Sequence, residues 1–201
     1  MESVENIVEN AALVVVDVQK GFDEEFWGRR NNPSAEGNIA ALIDLWQETG
    51  RPVVFVRHDS TGARSPLRTG YAGNAFKDFV EERRGNGKGD GPELLVTKSV
   101  NSAFYGEPSL DEWLRGQDIA QIVIVGIQTN MCNETTARMG GNLGYDVLFV
   151  LDSMHTFDLE GPFGWSQTAE ELTRATAVSL HGGRFARVVS TEEVVKGAVA
   201  R

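Results

Sequence analysis

Four residues in a row, Leu13-Val14-Val15-Val16, are apolar with no polar alternation, and the pattern recurs at Val53-Val54-Phe55-Val56, Ile122-Val123-Ile124-Val125 and Val147-Leu148-Phe149-Val150. A strand that is apolar at every position must be covered on both faces, which is the condition of a parallel sheet sandwiched between helices. Between these runs the period changes. Ile39, Leu42, Ile43 and Trp46 are spaced i, i+3, i+4, i+7, an amphipathic helix stopped by Gly50-Arg51-Pro52. Further helices are expected over 75–82, 110–114 and 166–180, with strands at 94–97 and 187–189. Strand–helix alternation of this kind predicts an α/β fold: a three-layer, Rossmann-like arrangement with a mainly parallel sheet of about six strands and helices on both faces. No internal repeat or low-complexity linker interrupts the 201 residues, so residues 1–201 read as one domain.

Composition excludes several partners. The net charge is −10, and Lys and Arg cluster no further than pairs such as Arg29-Arg30 and Arg83-Arg84, which argues against nucleic acid or an anionic membrane. No apolar stretch approaches the roughly 20 residues that span a bilayer. The first residues, Met1-Glu2-Ser3-Val4-Glu5, lack the basic start and apolar core of a secretion signal, so a cytoplasmic location is expected. The segment 85–91, Gly-Asn-Gly-Lys-Gly-Asp-Gly, lacks the Ser or Thr that a phosphate-binding loop needs after its lysine. It reads as a mobile surface connection, and the acidic residues 1–9 as a solvated arm or subunit contact.

In open α/β sheets ligands bind beyond the carboxyl ends of the strands. Asp17 ends the first run, Arg57-His58-Asp59 the second, Lys98 the third, and Asp152 the fifth. After the fourth comes Gly126-Ile127-Gln128-Thr129-Asn130-Met131-Cys132, holding the chain's one cysteine at a strand-to-helix junction. A lone cysteine is more often a buried hydrophobe. At a helix mouth, however, the dipole and a nearby ammonium favour the thiolate, so a lowered thiol pKa is expected. A carboxylate in reach can take the thiol proton and return it to a leaving amine, while backbone N–H groups hold the oxyanion. Each group also has a structural reading: Asp17 and Lys98 as an ion pair, Asp152 as a cap, His58 as a strand-end hydrogen-bonder, and His181 as a helix-end residue satisfying carbonyls.

Taken in order, Val14-Val15-Val16-Asp17-Val18-Gln19 with Phe22, Val53 to His58, Thr97-Lys98 with Ser102-Ala103-Phe104, Val125 to Cys132 with Thr135-Thr136-Ala137, Gly144-Tyr145-Asp146-Val147 and Asp152-Ser153 resemble the isochorismatase-like cysteine hydrolase superfamily over nearly the whole chain. The resemblance implies a triad in which Cys132 is the nucleophile, Asp17 the proton carrier and Lys98 the electrostatic support. It also implies a cis peptide between Ile127 and Gln128, which would turn the Gln128 N–H toward an oxyanion beside that of Cys132. True isochorismatases resemble this chain in fold and typically lack the cysteine, so Cys132 tilts the expectation to C–N hydrolysis through a thioester. Nicotinamidase-like members carry metal-binding histidines after the second strand. This chain has three histidines, His58, His155 and His181, so no metal and no cofactor are expected.

The expected substrate is a small molecule with an amide, carbamoyl or cyclic amide group. Aromatic residues follow three strands, and Phe22, Phe104, Tyr105 and Trp165 are candidate substrate contacts, with Asp23, Glu24 and Glu25 available to a cation. The resemblance implies a homo-oligomer, a dimer or larger. Vinyl ether hydrolysis and a non-catalytic ligand-binding role are the alternatives.

Overall fold

In the computed structural model, which describes residues 7–85 and 89–199, six parallel strands form one sheet in the order β3-β2-β1-β4-β5-β8. The strands are β1 (Ala12–Val16), β2 (Val53–His58), β3 (Glu93–Lys98), β4 (Gln121–Ile127), β5 (Asp146–His155) and β8 (Arg187–Val189). The helices are α1 (Ala35–Glu48), the short α2 (Asp78–Glu81), α3 (Leu110–Gly116), α4 (Glu134–Asn142), α5 (Ala169–Gly182) and α6 (Thr191–Val199). A two-stranded hairpin of β6 (Leu159–Glu160) and β7 (Ser166–Gln167) stands outside the sheet.

The unbroken apolar runs are explained by two cores. Odd-numbered β1 residues Leu13 and Val15 face Ile39, Leu42, Ile43 and Trp46 of α1 and Val194 of α6. Even-numbered Val14 and Val16 face the other layer, with Leu110 and Leu114 of α3, Ala137 of α4 and Leu180 of α5. Every position is therefore inside, and successive side chains simply serve opposite cores. Trp46 is wholly buried and its indole N–H donates to the Ala11 carbonyl at 2.8 Å, so its polar atom enters the core satisfied.

Strand order reverses at β1: β2 and β3 lie on one side of it, β4, β5 and β8 on the other. The crevice at such a reversal is where ligands bind in this architecture. Two backbone constraints shape it. Gly126, in the last turn of β4, has φ +131°, and a Cβ placed there would stand 2.0 Å from the Val16 carbonyl oxygen. The second is Asp17, held at φ 53° immediately after β1, a conformation uncommon for a residue with a side chain.

Some expected boundaries move. The helix expected over 75–82 is a single turn, α2, because Phe76 bridges to Gln19 and the Lys77 N–H bonds to the Val18 carbonyl, so extended pairing holds that segment. The helix expected from 166 starts at Ala169, since Ser166 and Gln167 pair with β6 and Thr168 forms a capping box with Glu171. Asp152 acts as a cap: it lies within β5, and its Oδ1 accepts from the Thr191 N–H and Oγ1, both at 2.7 Å, where α6 begins. His181 is exposed in the last turn of α5. Of the terminal arm, residues 1–6, and of the glycine-rich connection, residues 86–88, lie outside the described residues.

Gly126→Ala should lower thermal stability by more than about 10 °C, since a side chain there meets backbone and the loss exceeds about 4 kcal/mol. A melting curve beside Gly37→Ala, whose Cβ would meet open space, checks it. A second outcome concerns His155, buried at the end of β5 with Nδ1 unpartnered. Burial, then the charges of Arg30 and Lys77, hold its pKa down to about 3, with Glu36 opposing. The unfolded chain protonates it near 6.5 and the folded chain does not, so this contribution to stability is whole above that pH and is lost on acidification toward about 3. Denaturant midpoints between pH 7 and 5 should fall less for His155→Gln than for the wild type.

Candidate active site

The reversal at β1 brings Asp17, Lys98 and Cys132 together. Lys98 ends β3 and is paired in register with His58, the last residue of β2, so the two side chains sit side by side at the sheet edge. From there the Lys98 Nζ donates to Asp17 Oδ2 at 2.6 Å and to Cys132 Sγ at 3.4 Å, and stands 3.1 Å from His58 Nδ1. Both the Asp17 and Lys98 side chains are fully buried. The second Asp17 oxygen, Oδ1, is buried without a partner, and the Cys132 Sγ also lies 3.8 Å from Asn101 Oδ1.

The cysteine is delivered by a widened turn. After Gly126 the Ile127–Gln128 peptide is cis, and residues Thr129–Asn133 form one wide π-type turn before α4. The Gln128 carbonyl accepts from the N–H groups of Met131 and Asn133, at 3.3 and 3.2 Å. Thr156 fastens the turn from β5's end, its hydroxyl lying 2.5 Å from Asn130 Oδ1 and 3.4 Å from Gln128 Oε1.

His58 and Asn101 belong to this centre, a placement their strand-end and loop positions left open. Gln19 fixes His58 by its backbone, accepting from the His58 N–H at 2.8 Å and donating to its carbonyl at 3.0 Å. Asn74 donates to the same carbonyl and to Asp59 Oδ1. Burial, then the charge of Lys98, hold the His58 pKa below its ordinary value, so the ring is neutral and Nδ1 accepts from the ammonium.

The thiol behaves opposite to the expectation of a lowered pKa. Burial, then the carboxylate of Asp17, push Cys132 well above the ordinary thiol range, and Lys98 only partly opposes them. Burial would lower the Lys98 pKa too, but Asp17 and Cys132 outweigh it and hold the ammonium charged. The resting centre is therefore an ion pair beside a neutral thiol. A turn at a helix mouth cannot overcome a desolvated site with a carboxylate already in it.

The aromatic candidates are spread over different settings. Phe22 is buried, with ring centroids 5.0 Å from Trp27 and 6.3 Å from Phe157. Phe104 stacks on Tyr145 at 5.7 Å. Tyr105 is exposed on the turn that follows β3. Trp165 is exposed on the hairpin and lines a concavity of about 720 Å³ with Leu159, Pro162 and Leu172, whose lining includes no member of the triad. Of the nearby acids, Asp23 meets a cation of this same chain, Lys77. For metals, one donor atom each from Asp17, His58 and Cys132 lies within 4.8 Å of the others, but the Lys98 ammonium stands among them. Asp59 is taken up by Arg57 at 2.8 Å.

With this geometry in hand, residues 11–193 match the isochorismatase domain model. The chain belongs to the isochorismatase family. It is 35% identical over 187 residues to the isochorismatase-family protein YrdC of Bacillus subtilis, covering 93% of this chain and 95% of that one. It is similar to nicotinamidase 3 of Arabidopsis thaliana, 29% identical over 195 residues (92% and 86% of the two chains). It is also similar to the ureidoacrylate amidohydrolase of Variovorax paradoxus, 26% over 212 residues (84% and 82%). A crystal structure of an isochorismatase-family protein from Chromobacterium violaceum superposes with a TM-score of 0.89 at 31% identity, covering 100% of both chains. The fold and the hydrolase family are thus those the sequence resembles, with nicotinamidase and amidohydrolase relatives. Among the described residues no helix is long and apolar enough to cross a membrane.

If Asp17 holds the thiol neutral, Asp17→Asn should raise the rate of Cys132 alkylation by iodoacetamide at pH 7. The apparent thiol pKa falls because the negative neighbour is gone while the ammonium stays. Lys98→Ala should slow the same reaction, and intact-mass kinetics across pH 6–10 read both.

Proposed function

We propose that this protein is a cysteine-dependent hydrolase that cleaves a C–N bond (amide, carbamoyl or cyclic amide) in a small molecule through a thioester. The observation that carries the reading is the unpartnered Asp17 Oδ1 in a centre where the other carboxylate oxygen is locked to Lys98 and the thiol is neutral. A base with one free oxygen beside a protonated nucleophile is what acyl transfer to sulfur requires.

As the Cys132 Sγ attacks the carbonyl carbon, its proton passes to Asp17 Oδ1. The carbonyl oxygen becomes an oxyanion, received by the backbone N–H groups of Gln128 and Cys132, where one such donor is worth ~10²–10³ in rate. Collapse breaks the C–N bond, and Asp17 returns the proton to the departing nitrogen. Water, deprotonated by Asp17, then attacks the thioester, and the carboxylic or carbamic acid leaves as the thiol is restored. Lys98 stays charged throughout, offsetting whichever of Asp17 or Cys132 is anionic. The nicotinamidase and amidohydrolase relatives support C–N cleavage, and Cys132 at the end of the turn supports the covalent route.

A panel of primary amides, N-carbamoyl amino acids and lactams should give turnover that falls at least about 10³-fold in Cys132→Ala. Rapid quenching should show an acyl mass on Cys132, released by hydroxylamine. Activity that survives Cys132→Ala would sink the thioester and favour vinyl ether cleavage. Ligand-induced thermal stabilisation without turnover or adduct would favour a binding protein.

A further inference from the structure

An ammonium has three N–H bonds, and around Lys98 Nζ there are three acceptors: Asp17 Oδ2 at 2.6 Å, His58 Nδ1 at 3.1 Å and Cys132 Sγ at 3.4 Å. They come from the end of β1, the end of β2 and the turn after β4, while the ammonium arrives from β3. Hydrolysis as described above uses Asp17 and Cys132 but gives His58 nothing to do. Yet His58 is held in place on both backbone atoms by Gln19, and on its carbonyl again by Asn74. Its Nδ1 stands 3.1 Å from the ammonium, facing it. Carboxylate, imidazole and thiolate together form a donor set for Zn²⁺ and its neighbours, with three protein ligands and an open fourth position.

We infer that Asp17, His58 and Cys132 form a three-donor cation cage, that the Lys98 ammonium is its tethered occupant, and that the cage binds one divalent thiophilic ion once that ammonium is removed. Donor atoms already within 4.8 Å of one another need to close by roughly an ångström to reach metal–ligand distances of about 2.0–2.3 Å. His58 is then a positioning residue: its lone pair fixes one ammonium N–H so that another points at Cys132. Lys98 in turn keeps metals from the nucleophile by standing where they would bind. The inference rests on the geometry and is independent of which bond the enzyme cleaves.

Lys98→Ala titrated with Co²⁺ tests it, read by the thiolate-to-cobalt charge-transfer band and by native mass. The expected result is one ion per chain, with the band abolished by adding Cys132→Ser and affinity weakened at least about tenfold by adding His58→Ala. The wild type should show no band. Removing Lys98 leaves the Asp17 carboxylate buried alone, so Asp17→Asn combined with Lys98→Ala is measured alongside. Its neutral amide relieves the buried charge, and the same band is expected, dependent on both Cys132 and His58, at lower affinity. Absence of the band in both variants, a band indifferent to His58, or an equal band in the wild type would overturn the inference. An enzyme inactive toward every amide would leave these outcomes unchanged, so the two failures are distinguishable.

Discussion

The Lys98–Asp17 ion pair is the interaction around which the active edge is organised. Both side chains are fully excluded from water, and an ion pair so placed sacrifices more hydration than its attraction alone returns. On the ammonium side His58 and Cys132 complete its hydrogen bonds, while on the carboxylate side Asp17 Oδ1 is left without a partner. Removing one partner of such a pair typically costs about 3–5 kcal/mol, since the survivor is left as an unpaired buried charge. Geometry at this edge is correspondingly inflexible, and the order of strands, the left-handed Asp17 and the register of β2 on β3 all serve the same meeting point.

That placement also determines the resting state of Cys132. In an exposed helix-mouth cysteine, the dipole and a cation would yield a standing thiolate. Here water is excluded and a carboxylate is already present, so the thiol keeps its proton at rest. A neutral resting thiol is less exposed to oxidation and stray electrophiles than a thiolate would be. In the proposed hydrolysis the base is therefore part of the attack, and Lys98, charged throughout, offsets whichever partner is anionic.

Much of the architecture was legible because it follows from one-dimensional constraints. A strand buried on both faces has to read as an unbroken apolar run, and Val14 and Val15 cannot serve opposite cores in any other arrangement. The ends of those runs announce Asp17, Lys98 and Cys132. Less legible were features fixed by contacts between distant segments. Nothing local to Phe76 or Lys77 signals that they pair with the loop after β1, and the period of 75–82 suits a helix equally well. Ser166 and Gln167 join a hairpin only because Leu159 and Glu160 lie opposite. The pull on the Cys132 proton could not be read from its turn, because burial and the approach of Asp17 are properties of the closed sheet. Aromatic residues in loops were the weakest guide, as Phe22 and Phe104 are claimed by other rings.

Gly126 carries a consequence for how far the geometry of this edge can be adjusted. Its α-carbon lies so close to the Val16 carbonyl that no side chain separates the two strands just before Asp17 and the nucleophile turn. The spacing of Asp17 and Cys132 is thus referred to main-chain atoms, and no intervening side chain adjusts it. A change in the separation of Asp17 from the turn that carries Cys132 therefore requires the two backbones themselves to shift.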